Sequence, residues 1–269
     1  MLYYACDELS ADASQHLSNL QRQIDELPTH ALRYAEATRL FASKTSRAFQ
    51  EVREKLASAS PPGEACFYCE RDRYRDIDHI RPKRHYPEEC FAWKNYVYAC
   101  AICNQDAKRD TYAVFLPGDD SITEFDRSLP LDAPIPAGDP VLLDPREEDP
   151  LDFLQLDLET GRFVSIGDAR GRIRGEFTVS LLGLNESSLA KIRVHAYRSF
   201  KMYLEEHFVA MEEGNREKAA LAIEEIKSLH CPTVLVEMRR QADLIPELAA
   251  LFAVLPLDVG DRPRPVLQS

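Results

Sequence analysis

Apolar residues recur at helical spacing through the first 60 positions. Leu17, Leu20, Ile24 and Leu27 follow a 3-4-3 rhythm, which predicts a helix opened by Ser10 or Asp12 and stopped at Pro28. After Thr29 the rhythm resumes through Leu32, Ala35, Thr38, Phe41 or Ala42, Thr45, Phe49, Val52 and Leu56. Ser60-Pro61-Pro62-Gly63 breaks it and marks a module boundary. Residues 1–60 are therefore expected to form an N-terminal helical segment. Residues 61–116 hold a short apolar-alternating run (Tyr74, Ile77, Ile80) and read as a separate module. In 117–150 the periodicity fades and seven of the chain's 17 prolines appear, so an extended connector is expected. Alternation returns in 151–182. Phe153, Leu154, Leu156 and Leu158 lead into Glu159-Thr160-Gly161, and Phe163, Val164 and Ile166 follow, which predicts a β-hairpin.

Residues 183–256 read as helical again. Asn185 or Ser187 caps a helix with Leu189, Ile192, Ala196, Phe200, Tyr203 and Leu204 on one face. Gly214 separates it from a helix carrying Ala219, Ala222, Ile223 and Ile226. Pro232 suits the first turn of a last helix, bent at Pro246, and the tail from Pro256 reads as frayed. No internal repeat is visible.

Composition narrows the class. A chain of 269 residues, 45% hydrophobic, is long enough to bury a core without disulfides. No run reaches the ~18 apolar residues that span a bilayer, so no membrane association is expected. MLYYACDELSADAS lacks a basic region followed by an apolar core, so a secretory signal is not expected and the cytoplasm is the expected location. The seven cysteines are an odd number in a long chain, unlike a secreted disulfide framework. No phosphate-binding glycine loop is present, so the chain does not read as an ATPase.

A net charge of −12 argues at first against a nucleic-acid partner. Its distribution alters that inference. Residues 118–160 carry 13 acidic side chains against Arg127 and Arg146, a net of −11, whereas 71–84 carry a net of +3. In that basic stretch stand Arg71, Arg73, Arg75, Arg81, Lys83 and Arg84.

The chemistry concentrates between two C-x-x-C pairs, Cys66/Cys69 and Cys100/Cys103, with 30 residues enclosed. Each pair puts two thiolates on one tight turn, and two such turns make a tetrahedral S4 site suited to structural Zn2+. A redox dithiol would need a single pair near a βαβ pattern, which is absent. A closed zinc leaves no open position, so any chemistry must come from elsewhere. Between the pairs stand Asp78-His79 and Asn95. Asn104 follows the last cysteine directly, with Lys108 four residues on and on the same helical face. Adjacent side chains on a strand diverge, so Asp78 and His79 line one site only at a strand end. His85 and Cys90 are weak spare ligands, His195 and His207 read as ordinary helix residues, and Cys6 and Cys231 as small buried hydrophobes.

The order C-x-x-C, D-H, N, C-x-x-C-N-x-x-x-K resembles the zinc-containing, McrA-like branch of the HNH endonucleases. D-H-I-R-P-K at 78–83, W-K-N-Y-V-Y-A-C-A-I-C-N at 93–104, LLDPREEDP at 142–150 and TVSLLGLNESSLAKIR at 178–193 are similar to the PtuB-type nucleases of Septu anti-phage systems. The resemblance implies an α+β protein: a zinc-stabilised ββα-metal module between helical flanks, with a small hairpin beside it. It implies His79 as general base, Asn95 as the brace that orients it, and Asp78 and Asn104 as ligands of a catalytic Mg2+ or Mn2+. It further implies a DNA substrate and a regulating partner ATPase of the PtuA type. The clustering of basic residues itself makes Arg81, Lys83, Arg84 and Lys108 the expected contacts to a nucleic-acid backbone, with a solvated mixed-charge face as the alternative. RNA cleavage and a non-catalytic zinc module that binds nucleic acid or protein remain as alternatives, and self-association stays open.

Overall fold

The computed structural model describes residues 1–60, 64–71 and 75–255; Pro61-Pro62-Gly63, Asp72-Arg73-Tyr74 and the tail from Pro256 lie outside them. The first helix, α1 (Ala11–Asp25), opens where Ser10 Oγ accepts from the Ala13 N–H. The Ser10 hydroxyl also donates to Glu51, which ties this cap to a later helix. The stretch after Thr29 is two helices, not one: α2 (His30–Ala42), capped by Thr29, and α3 (Arg47–Ala59). Ser43, Thr45 and Ser46 cluster at the break, and such side chains compete with helical hydrogen bonds. The Arg53 guanidinium stitches the break by donating to the Lys44 carbonyl at 3.0 Å. The turn lets Phe41 and Phe49, from different helices, meet edge to face at 5.9 Å.

Next comes an antiparallel pair, β1 (Arg75–His79) with β2 (Tyr96–Cys100), in which Asp78 faces Val97 and His79 faces Tyr96. A short wide-turn helix, Ile102–Lys108, follows β2. Its last turn closes with the Arg109 N–H on the Asn104 carbonyl, five residues back, and Arg109 ends it at φ +50°. Two strands and a helix thus follow the N-terminal helices, as a mixed α and β reading requires.

The acidic stretch is not a bare connector. Strand β3 (Tyr112–Phe115) pairs antiparallel with β4 (Ile122–Phe125), inside the 117–150 segment. The chain then returns along β3, where Val141 donates to the Ala113 carbonyl and Phe115 to the Asp139 carbonyl. Gly138 makes this approach possible, because a Cβ there would stand 1.8 Å from the Phe115 oxygen. Val141, Leu142 and Leu143 are buried behind it, while Asp119, Asp120 and Asp132 stay exposed.

The expected hairpin forms from β5 (Leu154–Asp157) and β6 (Arg162–Ser165). It is covered by an unforeseen helix, α4 (Ala169–Leu181). Asn185 does not cap the next helix; its amide bonds both the N–H and the C=O of Phe163 and docks the hairpin. The C-terminal part comprises α5 (Ser187–Glu212), α6 (Arg216–Ser228), α7 (Pro232–Arg240) and α8 (Pro246–Ala253). Pro246 starts a new helix after a break at Gln241–Ile245 instead of bending one continuous helix. The main cluster of buried apolar side chains draws residues from Met1 to Leu255.

Candidate functional site

The first cysteine pair lies on a tight knuckle before β1. The Glu70 N–H donates to the Cys66 carbonyl, the Cys66 N–H to the Arg71 carbonyl, and Glu70 takes a left-handed φ of +59°. Phe67 donates to the Tyr98 carbonyl, which fastens the knuckle to β2. Cys100 ends β2 and Cys103 lies one residue inside the wide-turn helix, so strand pairing brings the second pair to the first. All four sulfurs lie within 4.8 Å of one another, and Cys69 and Cys100 are 3.7 Å apart. A tetrahedral ion with Zn–S bonds of about 2.3 Å needs sulfurs about 3.8 Å apart, so this donor set fits zinc. The four are buried and their thiols split: mutual contacts pull Cys69 and Cys100 down, toward the thiolate that zinc binds, while burial holds Cys66 up and contacts with its three neighbours hold Cys103 up.

Glu70, between Cys69 and Arg71, is buried as well. Its carboxylate accepts from the Tyr4 hydroxyl, the Thr233 hydroxyl and the Thr233 N–H, with the Met1 amino group 3.2 Å away. The knuckle is thereby joined to the N-terminal residues and to the first turn of α7.

Asp78 and His79 end β1, both about 95% buried. The Asp78 Oδ1 accepts from the His79 N–H at 2.8 Å. Its Oδ2 stands 3.4 Å from the Tyr68 hydroxyl and 3.3 Å from the Lys108 ammonium. Burial pushes the Asp78 carboxyl up, and the Lys108 charge partly offsets that rise. The His79 ring sits between Phe41 of α2, at 4.5 Å, and Tyr96, at 5.3 Å. Its Nε2 lies 2.9 Å from the Cys90 carbonyl, which only accepts, so Nε2 carries the proton and Nδ1 the lone pair. Burial drives the imidazole down to about 3, with the charges of Lys83, Lys108 and Lys44 adding to the fall.

Asn95 braces the 80–95 loop. Its Oδ1 accepts from the Arg81 N–H, and its Nδ2 donates to the Arg81 and Glu89 carbonyls. Asn104 is half-buried near the start of the wide-turn helix, and its side chain makes no hydrogen bond among the described residues.

The expected basic patch is largely engaged in the fold. Lys108 is fully buried, not surface-lying, and donates to the His79 carbonyl at 2.6 Å. Arg81 pairs with Glu89 at 2.8 Å. Arg84 donates to the Arg127 and Leu129 carbonyls. Lys83 is half-buried with its ammonium 5.6 Å from the Phe41 ring centre. The spare-ligand candidates have other partners: His85 bonds the Asp110 carbonyl and Cys90 contacts the Ala37 carbonyl. His207 is buried against the Ala219 and Val254 carbonyls.

Two residues near His79 escaped the sequence reading. Phe41 roofs the imidazole, and Lys44, whose ammonium lies 4.6 Å from the Phe41 ring centre, pairs with Asp76 of β1. Both come from helical positions whose spacing carries no chemical signal. On the Asn95 side of the loop, a cleft of about 320 Å3 is lined by Arg81, Glu89, Lys94, Asp144, Glu147 and Glu148. Burial and the adjacent Glu147 push Asp144 up to about 7. Among the described residues no helix is long and apolar enough to cross a membrane. Comparison of the chain with protein-family models, curated proteins and solved structures finds no match.

Proposed function

We propose that this chain is an HNH-type endonuclease, in which a zinc knuckle holds a ββα unit and His79 is the base in phosphodiester hydrolysis. One observation carries the reading. A neutral imidazole, its tautomer fixed by the Cys90 carbonyl, ends β1, whose opposite end pairs with Cys100 of the four-cysteine cluster, and lies under the charges of Lys44, Lys83 and Lys108. In the reaction, Nδ1 takes a proton from water and the water oxygen bonds to phosphorus. The P–O bond to the leaving sugar breaks, and that oxygen takes a proton from solvent. Lys83, which no carboxylate neutralises among the described residues, stabilises the negative charge that develops on the phosphoryl group, while Lys44 and Lys108 are paired with Asp76 and Asp78. His79 is only 4% exposed, so water reaches its ring only where the packing around it, Phe41 and Tyr96 included, gives way.

The resemblance also implies a Mg2+ or Mn2+ ion on Asp78 and Asn104. Both Asp78 oxygens are already engaged, one of them by an ammonium, so the residues as they stand do not fit a divalent ion there. Charge compensation falls instead to Lys83. DNA as substrate, and a setting in anti-phage defence with a partner ATPase, rest on the segments quoted for the resemblance.

A second reading has a specific observation behind it. The deep burial of His79 and the Asp78–Lys108 pair favour a zinc module that binds nucleic acid or protein without cutting. Cleavage assays on plasmid, single-stranded DNA and RNA, with and without Mg2+, separate the two. Cleavage that falls by about 10²–10⁴ in His79→Ala supports the nuclease reading. Cleavage unchanged in His79→Ala removes His79 from the reaction, and binding without cleavage on all three substrates selects the second reading.

A further inference from the structure

The Asp78–His79 site already contains a cation. Lys108 has no exposed surface, yet a buried ammonium is costly unless it is paired and hydrogen-bonded. Its partners are the two site residues themselves: the His79 carbonyl at 2.6 Å and the Asp78 carboxylate at 3.3 Å. The other Asp78 oxygen accepts the His79 N–H, and the Tyr68 hydroxyl stands beside the one facing Lys108. The wide-turn helix delivers this side chain, because Lys108 is its last residue and its start is anchored by Cys103. Among the described residues, the four cysteines are the only group of three or more His, Cys, Asp or Glu ligands close enough to share a metal.

We propose that the Lys108 ammonium is the resident cation of this site, occupying the place beside Asp78 that a divalent ion would need and excluding that ion. Lys108 is then a positioning residue. It holds the Asp78 carboxylate and the His79 carbonyl together and fixes the end of β1, where the imidazole is mounted. A divalent ion approaching Asp78 meets a like charge in a water-poor site, where repulsion is weakly screened. The inference rests on the reading of Asp78 and His79 as the reaction site, but its test does not depend on cleavage.

The test is uptake of Mn2+ by the zinc-loaded full chain, followed by loss of the free-ion electron paramagnetic resonance signal. Wild type and Asp78→Asn are expected to match up to about 1 mM Mn2+, the weak end of divalent-cation affinities. Lys108→Met, which keeps the length but removes the charge, is expected to gain a site at least about tenfold tighter, lost again in Lys108→Met/Asp78→Asn. Uptake by wild type that disappears in Asp78→Asn overturns the proposal. So does a folded, zinc-loaded Lys108→Met that gains nothing. Should Lys108→Met not fold, the comparison of wild type with Asp78→Asn decides alone. Mn2+ binding at Asp78 would leave the nuclease reading standing, while absence of cleavage would leave this inference standing.

Discussion

Asn95 devotes its whole amide to backbone, with one acceptor and two donors closing the loop between Arg81 and Glu89. Asn95→Ala leaves buried polar groups unpaired, at about 1–3 kcal/mol each. Asn95→Asp is expected to cost at least as much, because a carboxylate would face two carbonyl oxygens; urea unfolding of the two variants measures this. Asp144 gives a pH signature. Its carboxyl ionises near 7 when folded and near 3.9 in an unfolded chain, so between those values the folded state holds more protons. The stability it contributes below about pH 4 is therefore lost as pH rises to 7. Asp144→Asn, which cannot titrate and keeps an oxygen for the Arg146 N–H, should gain on wild type between pH 4.5 and 8. A urea midpoint that moves the other way contradicts this assignment. At this scale the sequence disclosed residue types but not their settings: Lys108 shares a helical face with Asn104 on paper, yet the fold buries it.

Among the elements, the two C-x-x-C turns were legible because metal ligation is a local matter of spacing, and α1 because its apolar stripe and cap are consecutive. The α2–α3 break was not, since apolar spacing runs on through Thr45, which is exposed. Helix α4 was missed for a different reason. Its buried contacts are made by Gly171, Gly175 and Thr178, so close backbone approach replaces the apolar stripe that periodicity detects. A Cβ at position 175 would stand 2.8 Å from Ser165 Oγ and 3.0 Å from the Phe153 carbonyl oxygen. Gly→Ala in an open helix stabilises by up to about 1 kcal/mol. Here the sign should reverse, with Gly175→Ala destabilising by about 1–3 kcal/mol as the helix is forced off the hairpin. Thermal melts of the variant against wild type test the sign. The roof over His79 belongs to the same category, because only tertiary packing puts Phe41 of α2 on a residue 38 positions later.

For the whole molecule, the expected mixture of helices with small strand pairs holds, whereas, of the basic residues hidden in a net of −12, Arg81, Arg84 and Lys108 are engaged by internal partners. Metal analysis is expected to find about one zinc per chain, and its removal by a chelator to lower the melting temperature sharply, since metal binding in such sites is coupled to folding. The Glu70 junction says where that loss will travel. Glu70 neighbours Cys69 of the four-cysteine cluster, and its carboxylate gathers Tyr4, Thr233 and the Met1 amino group, so the knuckle's turn is a keystone for segments far apart in the chain. Amide hydrogen exchange after chelation should therefore show residues 1–9 and 231–240 losing protection in step with 64–71, as one cooperative unit. If those distant amides stay protected while the knuckle exchanges freely, the unit ends at the cysteines. If they open together, metal occupancy at one small turn governs how firmly the two ends of the described chain are closed.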